Sequence, residues 1–164
     1  MPYFVSWIPT EPVYIDGFFE LAPVSEPDVV YDLGCGDGRL IFAAIKNGAG
    51  RAIGIDIDPK LIAADRKEAK IRRVEDKVSF IEGDVLDARL EEATVIFCYL
   101  IGEASTALKK KFAAELKPGT KVIMETFSIP GWKPAKIIDF GYGPDYGPGN
   151  RTLYLYVMPP EETE

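Results

Sequence analysis

Three aspartates, Asp32, Asp56 and Asp84, each sit at or just beyond the end of a short apolar run, and the first is followed by a glycine cluster. In Val29-Val30-Tyr31-Asp32-Leu33-Gly34-Cys35-Gly36-Asp37-Gly38-Arg39-Leu40, the three glycines alternate between a strand-like run and a helical pattern. Glycine has no Cβ, so such a turn accepts positive φ and lets a ligand lie on the backbone at a helix N-terminus. A glycine loop alone is equally compatible with a plain turn or another nucleotide site. The neighbouring charges decide between them. Asp32 and Asp37 would repel a pyrophosphate, whereas a sulfonium or ammonium would be attracted by about 4 kcal/mol per close unit pair at intermediate dielectric, before desolvation. That charge pattern favours S-adenosylmethionine over NAD, and so does the GxGxG spacing in place of GxGxxG. Either aspartate could instead cap the turn or the helix.

Asp56 closes the run Arg51-Ala52-Ile53-Gly54-Ile55-Asp56. It follows Gly38 near the spacing of about 20 residues at which an acid accepts both hydroxyls of a ribose. Ile57 beside it is expected to line the adenosine, and Asp58, preceding Pro59, to cap the next helix. In Ile81-Glu82-Gly83-Asp84-Val85-Leu86, Asp84 is placed to accept the exocyclic amine of adenine while the Val85 backbone amide donates to the ring. One Gly-Asp pair is more often a turn, but acids after three successive strands are hard to obtain from turns alone.

Other chemistries are excluded by composition. The 164 residues contain no histidine and two cysteines, Cys35 and Cys98, so neither a His/Cys zinc site nor imidazole catalysis is available. Both cysteines are expected near the ends of neighbouring strands as reduced thiols, small apolar fillers beside the cofactor. A net charge of −7 opposes polyanions, so nucleic acid is not the expected partner. The basic stretches Arg66-Lys67, Lys70, Arg72-Arg73 and Lys109-Lys110-Lys111 fall on helical patterns among acids and read as solvated faces. No apolar run reaches bilayer length and the first twelve residues carry no basic residue, so no membrane and a cytoplasmic location are expected.

The positioning elements follow from periodicity. Strands are expected at 28–33, 51–57, 77–81, 93–100, 120–127, 136–140 and 152–158, with helices at 38–46, 59–73 and 102–116. Their alternation predicts an α/β, Rossmann-like three-layer sandwich with a mostly parallel seven-stranded sheet. Residues 141–150, rich in glycine and proline, predict a hairpin and hence one antiparallel strand near the C-terminus. One domain is expected over 1–164, with a covering segment and helix in 1–24 and a loose tail at 159–164.

The run Asp32-Leu33-Gly34-Cys35-Gly36-Asp37-Gly38, with Asp56 and Asp84, resembles the first three motifs of class I (seven-β-strand) S-adenosylmethionine-dependent methyltransferases. More narrowly, Trp7-Ile8-Pro9-Thr10, residues 93–100, Glu115-Leu116-Lys117-Pro118-Gly119-Thr120 and residues 127–134 resemble the small archaeal protein-lysine methyltransferases and their mitochondrial relatives. The resemblance implies that Trp7 and Thr10 fold over the cofactor and that Tyr99 borders the methyl group. It also implies a protein substrate with an accessible lysine, and a monomer is expected. The Asn/Asp-Pro-Pro-Tyr run of many base and amide methyltransferases is replaced here by Phe97-Cys98-Tyr99-Leu100, which weakens those substrates.

Methyl transfer from a sulfonium is an in-line displacement, in which alignment supplies much of the acceleration. A lysine acceptor, with an unperturbed pKa of about 10.4, must also lose a proton. Glu103 and Glu125, near the ends of the fourth and fifth strands, are candidates for that role or simply structural, and Tyr99 is the third catalytic candidate. Trp7, Tyr99 and Trp132 could surround a cation or pack the core. Tyr142 and Tyr146 could meet the acceptor, although a surface loop of that composition needs no function. The alternatives to lysine methylation are an RNA or small-molecule methyltransferase, or a non-catalytic protein that binds S-adenosylmethionine; a dehydrogenase would bind NAD instead.

Overall fold

The sheet is organised around one topological break. In the computed structural model, which describes residues 10–99, 104–141 and 152–164, seven strands are ordered β3-β2-β1-β4-β5-β7-β6. The first three, β1 (Val29–Leu33), β2 (Arg51–Asp56) and β3 (Val78–Glu82), step outward in one direction. The chain then returns to place β4 (Val95–Cys98) on the other side of β1, followed by β5 (Lys121–Glu125). All neighbouring pairs from β3 to β5 are parallel. β7 (Thr152–Val157) runs antiparallel between β5 and β6 (Lys136–Asp139), the single reversed strand expected from the Gly/Pro-rich link. Crevices at the carboxyl ends of such strands, beside the break between β1 and β4, are where ligands sit in open α/β sheets.

Burial follows position in the sheet. β4 is buried throughout and β1 and β5 nearly so, as central parallel strands covered on both faces must be, while β3 and β6 at the edges alternate or are exposed. One face packs Phe97, Ile123 and Leu153 against Phe18 of α1 (Pro12–Leu21), Leu40 and Ile41 of α2 (Arg39–Lys46) and Ile62 of α3 (Pro59–Ile71). The other packs Leu33, Ile55, Ile96 and Tyr156 against Leu108 and Phe112 of α4 (Ala104–Glu115). Helix α1 crosses the β7 side of its face: a Cβ on Gly17 would lie 2.8 Å from the Phe140 ring, and Tyr14 meets that ring edge-on at 4.8 Å.

Most expected strands end one or two residues early because the ladder stops where turns begin, and β4 also starts late, Ala93 donating to Leu90 O rather than to a neighbouring strand. The expected loose tail is a larger difference. Lys133 N donates to Glu161 O and Thr163 N to Gly131 O, both at 2.8 Å, and Trp132 bridges to Glu162. These backbone bonds tie residues 161–163 to the segment after β5.

Candidate functional site

The glycine loop is latched to the end of β2. Gly34 N and Cys35 N both donate to Ile55 O, at 2.8 and 3.0 Å. Gly34, Gly36 and Gly38 have φ of 89°, 56° and 73°, the left-handed region that the alternating glycines predict. A Cβ on Gly38 would stand 3.0 Å from the Phe80 ring. Gly54, inside β2 and missed by the sequence reading, has a comparable role: a Cβ there would lie 2.8 Å from the Cys35 side chain, so its absence makes room for the loop. A glycine interrupting a buried strand was the available signal.

Asp56 ends β2 with its carboxylate fixed by two backbone donors, Gly36 N to Oδ2 and Asp58 N to Oδ1, each at 3.0 Å. Asp58 itself caps α3 through Lys60 N at 2.8 Å. Beyond β3, Asp84 Oδ1 accepts from Leu86 N at 2.9 Å, closing the turn, and the side chain is exposed. Between these acids lie apolar side chains turned outward, Ile57 at 67% and Leu86 at 39% exposure, with Val85 half-buried. A rim of carboxylates around exposed apolar side chains suits a flat heterocycle joined to a diol.

Asp32 is buried in β1 at 5% exposure. Burial, then the charges of Asp56, Glu125, Asp37 and Asp65, push its carboxyl well above the usual range. The charges that raise it are all carboxylates, a surrounding that favours a cationic ligand such as a sulfonium or ammonium. Asp37 differs from the sequence reading, because Arg39 holds it in a forked ion pair, Nε to both oxygens at 2.9 and 3.1 Å and Nη2 at 2.6 Å. Burial alone would raise the Asp37 carboxyl; the Arg39 bonds outweigh it and hold the group below its ordinary value. Much of its field is therefore neutralised locally. Arg39 Nη1 also donates to Thr10 O at 3.1 Å, anchoring the half-buried Thr10 beside the loop.

Asp65, on α3, is a further acid that the sequence reading missed. It is 3% exposed, lies 3.9 Å from Cys35 Sγ, and is pushed up to about 7 by burial and by Asp37 and Asp56. It occupies the buried stripe Ile62, Asp65, Ala69 of the helix, a polar residue at an apolar spacing that was readable in advance. Cys35 and Cys98 are buried and unpaired by disulfide, with burial raising both thiols far above their ordinary values, as fillers rather than nucleophiles.

Across the break, Asp32 is in register with Phe97, and Phe97 with Ile123. Because side chains alternate along a strand, Glu125 lies on the Ile123 face, the same face as Asp32. Glu125 is 1% exposed at the carboxyl end of β5, and half-buried Tyr99 follows β4 and packs against that core. Trp132 is elsewhere: 5% exposed in the opposite core, 6.0 Å from Tyr156 by ring centroids, it packs and does not line this crevice. Trp7, Glu103, Tyr142 and Tyr146 lie outside the described residues.

A sheet of this order with a glycine loop after β1 and acids after β1, β2 and β3 defines a class I S-adenosylmethionine-dependent methyltransferase. The ANTKMT methyltransferase domain model matches residues 32–136, and the chain belongs to that family. It is 36% identical over 155 residues to a protein-lysine N-methyltransferase of Saccharolobus islandicus, covering 94% of each chain. Identity to the mouse adenine nucleotide translocase lysine N-methyltransferase is 29% over 115 residues, 70% of this chain and 50% of that one, so the chain spans about half the length of that relative. Among solved structures, an RNA methyltransferase from Salinibacter ruber in complex with S-adenosyl-L-homocysteine matches with TM-score 0.84 and 38% identity, over 96% of this chain and 97% of that one. The protein is thus an S-adenosylmethionine-dependent methyltransferase.

Proposed function

We propose that the protein methylates lysine side chains of protein substrates. The carrying observation is Glu125, a fully buried carboxylate on the same sheet face and edge as the buried Asp32. An ammonium side chain is drawn to such a crevice, and Glu125 is the carboxylate placed to receive the proton that must leave before nitrogen can attack, with Tyr99 bordering the methyl group. The names of the archaeal and mouse relatives support the lysine acceptor.

The cofactor, when bound, supplies a methyl group activated by a sulfonium. In this reading Asp56 takes the ribose hydroxyls, Asp84 and the Val85 amide take adenine, and Ile57 lines its face. Gly34, Cys35 and Gly36 carry the remaining chain, with Asp32 beneath its positive charge. Trp7 and Thr10 cover the pocket, and Glu103 with Glu125 and Tyr99 serves the acceptor. The whole chain acts as one domain and as a monomer in the cytoplasm. The single domain is supported by all described strands sharing one sheet. No helix among the described residues is long and apolar enough to cross a membrane.

The second reading, RNA methylation, is favoured by the name of the solved Salinibacter ruber relative. Charge favours the first. Several cations are already engaged by acids, Arg51 with Glu92, Arg72 with Glu68 and Lys111 with Glu115. Incubation with labelled S-adenosylmethionine and either lysine-rich protein or total RNA separates the two. Label in protein that survives acid hydrolysis as methyl-lysine is expected; label confined to RNA overturns the lysine reading.

A further inference from the structure

The strand that ends at Glu125 stops in an unusual way. Thr126 has φ +70°, although it is β-branched, and such residues rarely enter the left-handed region unless their surroundings force it. Among the described residues the other non-glycine with positive φ is Arg73, which has a local explanation. Arg73 N donates to Lys70 O and Val74 N to Ala69 O, the bonding that terminates an α-helix such as α3. Thr126 terminates no helix.

Its bonds describe a one-residue reversal. Thr126 N donates to Thr152 O at 2.7 Å, extending the ladder to β7, and Phe127 N donates back to Glu125 O at 2.8 Å. The result is a γ-turn of the rarer, strained kind directly beyond the buried carboxylate. The segment that follows is held at several points. Ile129 N donates to the hydroxyl of fully buried Tyr156 at 2.8 Å, Lys109 Nζ donates to Pro130 O at 2.9 Å, and Trp132 bridges to Glu162. Ile129 and Trp132 are buried, at 1% and 5%, yet Phe127 is 39% exposed. An aromatic ring left outside by an anchored segment is exposed by construction, not by looseness.

Building on the lysine reading above, we propose that the Glu125-Thr126-Phe127 turn is a specificity element, with Phe127 receiving an apolar residue that flanks the acceptor lysine. The turn reverses the backbone so that one residue separates the buried acid from the exposed ring. A lysine entering beside Tyr99 and Glu125 carries its neighbouring residues across that rim. Thr126 is a positioning residue in this scheme, and Phe127 a contact of the polypeptide and not of the reacting atoms.

Two synthetic peptides with one lysine each, flanked by leucines or by glycines, test this by steady-state kinetics with S-adenosylmethionine. Wild type is expected to show a KM about tenfold lower for the leucine-flanked peptide, the value of one partly buried aliphatic side chain. Phe127→Ser should abolish that preference while leaving S-adenosylhomocysteine affinity and thermal stability unchanged, and Phe127→Tyr should keep it. Thr126→Gly, which takes the same φ without strain, should fold as stably and show a reduced preference, since the ring is no longer pinned. An undiminished preference in Phe127→Ser overturns the proposal, and one in Thr126→Gly overturns the part given to the turn. Wild type that methylates both peptides equally overturns the proposal alone. Wild type that methylates neither peptide, while labelling RNA, overturns the lysine reading together with it.

Discussion

The two halves of the sheet, divided between β1 and β4, solve different problems. On the β3-β2-β1 side the polar groups are placed by the backbone: one acid at or after each strand end, Asp56 gripped by Gly36 N and Asp58 N, and the glycine loop latched to Ile55 O. On the β4-β5-β7-β6 side they are placed by tertiary packing: Glu125 by burial within the sheet, the turn after it by Thr152, and the following segment by Tyr156, Lys109 and the C-terminal residues. In the proposed reading the first half holds the cofactor with short-range geometry. The second admits the acceptor in that reading, and its contacts are long-range in sequence.

The contrast is broken most severely at Asp56. Asp56→Ala removes the proposed diol acceptor and the anchor of Gly36 together, and is expected to weaken S-adenosylhomocysteine binding at least about 100-fold by calorimetry. Affinity within threefold of wild type would mean that the β2 acid does not organise the pocket. Next in size is Glu125→Gln, which should lower kcat about 10- to 100-fold with S-adenosylhomocysteine affinity preserved. The loss should shrink as pH approaches the lysine range. Equal loss of cofactor affinity would place Glu125 in the first half's task instead.

A smaller effect belongs to packing. Gly54→Ala drives a methyl against Cys35 at 2.8 Å and is expected to cost about 1–3 kcal/mol in denaturant unfolding. A cost under 0.5 kcal/mol would show that the loop yields freely.

The smallest effect is a pH dependence. The Asp65 carboxyl is held up at about 7 in the folded protein, by burial and by Asp37 and Asp56, against about 3.9 unfolded. Between those values the folded chain binds more protons than the unfolded one, so stability falls as pH rises through that window. Asp65→Asn should flatten part of the fall between about pH 4 and 7, buried Asp32 contributing in the same direction. Thermal melts of the two proteins decide it, and parallel curves would contradict the assignment.

Legibility in the sequence follows the same division. Glycine spacing, the acids after the strands and the Gly/Pro-rich link are local signals, and they led to the sheet, to Asp56 and Asp84 at strand ends, and to the single reversed strand. Asp37 was harder, since the fork from Arg39 depends on how two neighbouring side chains meet across a turn. Trp132 and the tail were not legible for a stronger reason. What they touch, Tyr156 and the segment after β5, is fixed only when distant parts of the chain pack together. Thr126 carried no composition signal at all, because a strained φ is imposed by the surroundings of a residue and not by its type.

A crystal structure with S-adenosylhomocysteine tests the central claim most directly. The expected density runs along the carboxyl edge, with the ribose at Asp56, adenine between Ile57 and Val85 near Asp84, and the amino acid end over Gly34 to Gly36 towards Asp32. Density for the ligand away from those residues would contradict the assignment of the pocket, and the acceptor roles given to Glu125 and Phe127 would fall with it.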